Sequence, residues 1–217
     1  LHTADLHLGK IIFEHSLIGD QKHVMNQLLE QACIKDSEAD GFLYSALIIS
    51  GDIYDRSIPP PEAVELFDDF LTLLHRKHPD LHIFIIPGNH DSAQRLSYAS
   101  RILKKQNIHI DTSLSDIGTC TILKKGSEKL AVFQIPFLTP SFFNDEQKTG
   151  NQGMKSQSEI LNSVMKKIRS KCMDIQTEEP LPCIASAHLF TLGAQPSDSE
   201  RSFLGTAELI DAEIFAP

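Results

Sequence analysis

The 217-residue chain has only four cysteines, Cys33, Cys120, Cys172 and Cys183, and no two of them form a Cys-x-x-Cys pair. Scattered in this way they suggest neither a zinc knuckle nor a disulfide framework, and they read as reduced thiols packed in the core. No apolar run approaches the roughly 20 residues that span a bilayer, and the first residues lack the basic-then-apolar order of a secretory signal. A cytoplasmic location is expected. Basic charge is also short, with 20 Lys and Arg against 29 Asp and Glu and a net charge of -9. A large self-sufficient nucleic-acid footprint wants a basic surface, so contact with a polyanion would depend on bound cations or on a partner. A starting methionine is missing as well: Leu1 already stands in a strand-like run, and Ile214-Phe215-Ala216-Pro217 completes no element. The expectation is one domain over residues 1–217, a fragment truncated at both ends.

What is present is an ordinary globular composition, 41% hydrophobic and 23% charged. Leu1 to Ala4 reads as the end of a buried strand. Asp20 is a plausible N-cap for an amphipathic helix to about Ala39, with Val24, Leu28 and Ala32, and beside them Met25, Leu29 and Cys33, at four-residue spacing. Ala46 to Ile49 is a continuous apolar run, as expected for a strand covered on both faces. Pro59-Pro60-Pro61 opens a second helix, since proline is tolerated in the first turn, with Val64, Leu66, Phe67, Phe70, Leu71 and Leu74 as its buried stripe. Ile83 to Ile86 is a further buried strand, Ala93 to about Gln106 a third helix, and Ile108 to Ile110 another strand. This alternation builds a parallel sheet with right-handed crossovers. After residue 110 the pattern changes: Cys120 to Leu123 and Lys129 to Ile135 flank a turn at Lys125-Gly126-Ser127-Glu128, which predicts a second, mixed or antiparallel sheet. Phe143 to Gln157 reads as a loop, Ser158 to about Met173 as a helix with Ile160, Leu161, Val164, Met165 and Ile168 on one side, and Cys183 to Ala187 as a strand that delivers His188.

Three clusters follow strands directly: Asp5-Leu6-His7, Gly51-Asp52 and Gly88-Asn89-His90-Asp91. Ligands of parallel sheets sit beyond the carboxyl ends of the strands, and these oxygen and imidazole donors suit manganese, iron or zinc better than calcium. Asp5 and His7, two apart on an extended segment, point the same way and can grip one ion. The Asp52 carboxylate can give an oxygen to each of two ions, Asn89 offers a neutral oxygen to the second, and His90 is left as a general acid. Two divalent ions about 3.5 to 4 Å apart stabilise both the attacking and the leaving oxygen of a phosphate ester. Taken singly the clusters are bland, since Gly-Asp is common turn chemistry; their order and placement carry the reading. Arg56, four residues after Asp52, and Arg95, five after His90, are candidates for touching substrate phosphate. His15, His23, His75, His78, His82 and His109 show no partner pattern and read as structural, and Lys104-Lys105 and Lys124-Lys125 as solvated pairs.

The stretches His2 to Lys10, Gly51-Asp52-Ile53-Tyr54-Asp55-Arg56, Gly88-Asn89-His90-Asp91-Ser92 and Ala187-His188-Leu189-Phe190 closely resemble the calcineurin-like metallophosphoesterases. More narrowly they resemble the SbcD-type exonuclease subunits of bacteria, relatives of the repair nuclease found with Rad50-type ATPases; the likeness runs over most of the chain and takes in Ser197 to Arg201. The resemblance implies an α/β fold, a two-sheet core flanked by helices with its C-terminal part missing. It implies that Asp5 and His7 hold a first metal, Asp52 bridges, Asn89 and His188 hold the second, His90 acts on the leaving group and Asp91 orients it. Two manganese ions would be the cofactors. DNA would be the substrate, cut by exonuclease and endonuclease action in repair, recombination and replication. The partners would be an SbcC-like ATPase subunit and a second copy, as a homodimer within a heterotetramer, with no membrane. A phosphatase or cyclic-nucleotide phosphodiesterase, or a non-enzymatic scaffold, would share the fold.

Two departures from the family stand out. Archaeal and eukaryotic relatives carry histidine where this chain has Asp55, which leaves the role of Asp55 open. The family's Gly-His-x-His motif is absent from these 217 residues. The first ion would keep Asp5, His7 and Asp52, the second Asp52, Asn89 and His188, and the fragment is expected to be inactive.

Overall fold

In the computed structural model, which describes residues 1–38, 40–113, 119–138, 156–175, 181–193 and 208–216, the apolar runs of the first half lie side by side. Strands β1 (His2–Thr3), β4 (Ala46–Ser50), β5 (His82–Ile86) and β6 (Ile108–Ile110) form a parallel sheet in the order β1-β4-β5-β6. The register sets Ile48 opposite Phe84 and Phe84 opposite His109. Because side chains alternate across a strand, Leu47, Ile49, Ile83, Ile85 and Ile108 take the other face. There helices α1 (Ile18–Ala32) and α2 (Pro61–Lys77) cover them with Met25, Leu29, Leu66, Phe67, Phe70 and Leu74. Strands β2 (Ile11–Ile12) and β3 (His15–Ser16) make a small hairpin after the first strand end.

The second sheet is mixed, as expected. Strands β7 (Thr121–Lys125) and β8 (Glu128–Ile135) pair antiparallel, and β9 (Cys183–Ala187) lies parallel to β8. Ala131, Phe133 and Ile135 face the long C-terminal helix Gln157–Ile175, whose Ile160, Leu161, Val164, Met165 and Ile168 form the buried stripe that the spacing predicts. The other face packs on the first sheet through Leu123, Val132 and Phe84. Polar stitches hold the two sheets in register: the Ser50 and Ser186 hydroxyls meet at 2.8 Å, and the Gln134 amide donates to the carbonyls of Ile85 and His109 at 2.9 and 3.0 Å. The result is helix, sheet, sheet, helix, the expected two-sheet core flanked by helices.

Local details differ from the sequence reading. β1 is an edge strand with His2 exposed rather than buried. α1 starts at Ile18 after Leu17, so Asp20 is no cap; it sits in the first turn, where its charge complements the helix dipole. The helix ends at Ala32, where the Cys33 N–H bonds back to the carbonyls of Leu29 and Glu30 and the chain turns to bridge Lys35 with Phe42; Val24 is exposed. In α2 Ala63 is buried and Val64 is not. The third helix is broken: α3 (Ala93–Leu96) and α4 (Ser100–Leu103) are split at Ala99, whose φ of 58° interrupts the right-handed ladder. With these two short helices named, Gln157–Ile175 is α5. The expected loop from Phe143 lies outside the described residues up to 155, while Gln157 opens α5; Ser197 to Arg201 also lie outside them.

The cysteines are free thiols. Cys120 and Cys172 pack on the core between α5 and the second sheet, and burial, with the Cys183 thiol beside it, pushes Cys172 up to about 12, so its thiolate is scarce. No helix among the described residues is long and apolar enough to cross a membrane.

Between the sheets His109 stacks on Phe84 with ring centroids 4.8 Å apart and meets His82 Nδ1 through Nε2 at 3.0 Å. Burial, then the neighbouring His82, lowers its pKa from 6.5 to about 4. Between those values the unfolded chain binds a proton that the fold refuses, so stability falls as the pH drops through this window. By pH 4 the loss from this residue approaches about 3 kcal/mol. His109→Phe should therefore flatten the fall in melting temperature between pH 6.5 and 4; an unchanged slope would contradict the assignment.

Candidate metal centre

The strand ends of the first sheet turn sharply. After β4 the chain passes through Gly51 (φ 90°) and Asp52 (φ 49°), and after β1 through Asp5 (φ 56°) and His7 (φ 44°). Left-handed backbone is unfavourable for residues with a Cβ and persists where surrounding bonds over-determine it. Here they do: the N–H groups of Asp5, His7 and Leu8 donate to the carbonyls of Gly51, Asp52 and Ile53 at 3.1, 2.9 and 2.8 Å. Asp5 and His7 thus lie on a turned, not an extended, segment, yet His7 Nε2 still comes within 3.9 Å of Asp5 Oδ1.

Asp52 is the hub. It is 3% exposed, and its Oδ1 accepts the His90 N–H at 2.9 Å. Its Oδ2 lies 3.6 Å from His188 Nε2, 3.8 Å from His7 Nε2 and 3.9 Å from His90 Nε2. The approach is close because Gly88 has no side chain: a Cβ there would overlap the Asp52 carboxylate and main-chain nitrogen. Gly88→Ala should therefore displace Asp52, costing about 1 to 3 kcal/mol of stability together with metal affinity. Thermal melts beside a manganese titration would measure both, and wild-type values for both would refute the packing argument.

The donor chemistry fits divalent ions. His188 Nδ1 donates to the Ser50 carbonyl at 2.8 Å, so its Nε2 keeps a lone pair, turned toward Asn89 Oδ1 at 3.0 Å and toward Asp52. Unprotonated nitrogen, amide oxygen and carboxylate converging in this way suit a cation between them. Asp5, His7 and Asp52 form the second set, with donor atoms within 4.8 Å of one another. Burial, against the pull of Asp52, lowers the His7 pKa and keeps this ring neutral and able to ligate. All five expected ligands, Asp5, His7, Asp52, Asn89 and His188, are thus brought together.

The expected catalytic pair divides. His90 is buried with Nδ1 donating to the Asp55 carbonyl at 2.8 Å, which leaves Nε2 facing the centre. The Asp91 carboxylate is occupied elsewhere: it accepts from the N–H groups of Gly88, Ile53 and Tyr54 at 2.9, 3.1 and 2.9 Å. Burial raises its pKa while these bonds hold it down. Asp91 therefore staples the β5 loop to the β4 loop, and the group that orients His90 is a main-chain carbonyl that no side-chain pattern reveals. Ser50, which orients His188, was missed for the same reason. Arg56 and Arg95 are exposed, and neither side chain is brought onto the ligands.

Residues 1–171 match the family model described as calcineurin-like phosphoesterase. The chain is 29% identical over 221 residues to the SbcD subunit of the nuclease SbcCD from Escherichia coli K12, covering 100% of this chain and 53% of that protein. It is 30% identical over 220 residues to the protein of the same name from Staphylococcus epidermidis, covering 99% and 53%. Among solved structures, the phosphopantetheinyl hydrolase PptH of Mycobacterium tuberculosis aligns with a TM-score of 0.41 at 12% identity, over 87% of this chain and 67% of that one. The chain spans about half the length of the curated relatives it matches.

Proposed function

Since the chain belongs to the calcineurin-like phosphoesterase family, whose members hydrolyse phosphate esters with divalent metals, we propose that it carries the nuclease centre of an SbcCD-like DNA repair and recombination complex. The observation that supports this most is the single carboxylate oxygen of Asp52 with three imidazoles within 3.6 to 3.9 Å. Asp5, His7 and Asp52 would hold one manganese ion, and Asp52, Asn89 and His188 the other. Bound there, the ions would neutralise charge on the phosphate and make a water more acidic. His90, steered through Nδ1 by the Asp55 carbonyl, turns Nε2 toward the leaving oxygen, to which it would deliver a proton from its doubly protonated form. Arg56 and Arg95, exposed beside the centre's loops, would meet flanking phosphates.

The partners proposed are DNA, an SbcC-like ATPase and a second copy of the chain, in the cytoplasm. Two observations agree with this. A net charge of -9 leaves much of the grip on a polyanion to a partner. Tyr98 and Ile102, 84% and 69% exposed near α4, offer apolar surface for the homodimer.

The test is manganese-dependent cleavage of linear double-stranded and single-stranded DNA, run beside a small phosphodiester and a cyclic nucleotide. Cleavage of DNA is expected; turnover of the small esters alone would favour a phosphatase or cyclic-nucleotide phosphodiesterase and overturn the proposal. With no Gly-His-x-His in the 217 residues, each ion has three protein donors. Residues 1–217 alone should therefore bind manganese weakly and cut poorly. Calorimetry that found two tightly held ions with full activity would contradict that.

A further inference from the structure

Among the strand-end motifs, Asp55 is the residue that the metal centre leaves without a task. It sits three positions after Asp52, and its main chain is fixed from both sides: its N–H donates to the Leu8 carbonyl at 3.1 Å, and its own carbonyl accepts from His90 Nδ1 at 2.8 Å. Its carboxylate faces a different imidazole. His7 Nδ1 lies 3.7 Å from Asp55 Oδ1.

The two nitrogens of His7 have opposite needs. Nε2 points at Asp5 and Asp52 and must be unprotonated to meet an ion. The ring's proton then belongs on Nδ1, which is buried and has no hydrogen-bond partner. A buried donor left unpaired is unfavourable, and the facing acceptor is the Asp55 carboxylate, whose side chain is 19% exposed. A movement of about 1 Å brings the pair to hydrogen-bond length.

We propose that Asp55 is the positioning residue of this centre, its carboxylate accepting the Nδ1 proton of His7 and so holding Nε2 toward the ion, while its main-chain carbonyl steers His90. The inference rests on the metal-centre reading and adds to it the link between one ligand and the acid. Carboxylates that orient ligating histidines typically change metal affinity ten- to a hundredfold when removed. Here the two tasks fall on different atoms, so mutation separates them: a substitution removes the carboxylate and keeps the carbonyl.

The experiment compares wild type, Asp55→Ala and Asp55→Asn in the complete protein, with melting curves to confirm folding. Nitrogen NMR of the metal-free protein reads the His7 tautomer, and a manganese titration followed by electron paramagnetic resonance reads affinity. Asp55→Ala should give a mixed tautomer and a ten- to hundredfold weaker manganese affinity. Asp55→Asn, whose amide oxygen still accepts from Nδ1, should stay within a few-fold of wild type. Wild-type tautomer and affinity in Asp55→Ala would overturn the proposal while leaving the metal centre intact. Equal loss in both variants would overturn it too, making Asp55 a direct ligand in the set it forms with His7 and His90. A wild-type chain that binds no manganese would instead sink the metal-centre reading on which the inference stands.

Discussion

In the complete protein, replacing His90 by alanine is expected to slow DNA cleavage by roughly a hundred- to ten-thousandfold, the usual worth of a positioned general acid, with manganese content nearly unchanged. The separation follows from the two ends of the residue. Its main-chain N–H, which alanine retains, is what supports the bridging carboxylate, through a 2.9 Å bond to Asp52 Oδ1. Its imidazole, which alanine lacks, is held by the Asp55 carbonyl and lies outside the two ligand sets. Single-turnover cleavage beside metal analysis of the same preparation tests this. Loss of ions in step with activity would make His90 a ligand and end its assignment as the acid.

Asp52→Asn should do the reverse. The amide keeps the shape, and its oxygen can still accept from the His90 N–H, so the fold should hold. The negative oxygen that three imidazoles surround is gone, and both proposed ions would share that oxygen's residue. Losing an orienting partner alone weakens metal binding about ten- to a hundredfold. Losing the shared ligand should exceed that for both ions and take cleavage with it. Manganese affinity within a few-fold of wild type would remove Asp52 from the bridging position.

Much of this was legible in the chain because parallel strands covered on both faces read as unbroken apolar runs. The clusters at Asp52 and at Asn89 directly follow such runs, so the ends of β4 and β5 could be placed from the residues alone. The turns were not legible. Asp5, His7 and Asp52 adopt left-handed backbone that their residue types do not announce, since the bonds that hold it come from a neighbouring loop. Asp91 misled for a related reason: a carboxylate beside a catalytic histidine looks chemical, but its acceptors are used up by three main-chain donors. In α1 and α2 neighbouring four-residue stripes competed, and only packing decided for Met25 over Val24 and Ala63 over Val64. The meeting of Cys172 with Cys183, and of His82 with His109, joins positions far apart in sequence, beyond the reach of local pattern.

The stitching of the β1 loop to the β4 loop, and of β4 to β9 through Ser50, has a thermodynamic consequence. The proposed donors come from Asp5 near the start of the sequence to His188 far along it, so one ion would need the ends of β1 and β4 together, the other those of β4, β5 and β9, and the pair only a molecule in which all four have met. The unfolded chain offers no such gathering, and occupancy must therefore raise the melting temperature. At an ion concentration a hundred times the dissociation constant the gain is about 2.7 kcal/mol. Melting with and without manganese thus becomes a binding assay that needs no substrate, in which a variant that melts at one temperature in both has kept its architecture and lost its grip on the ion.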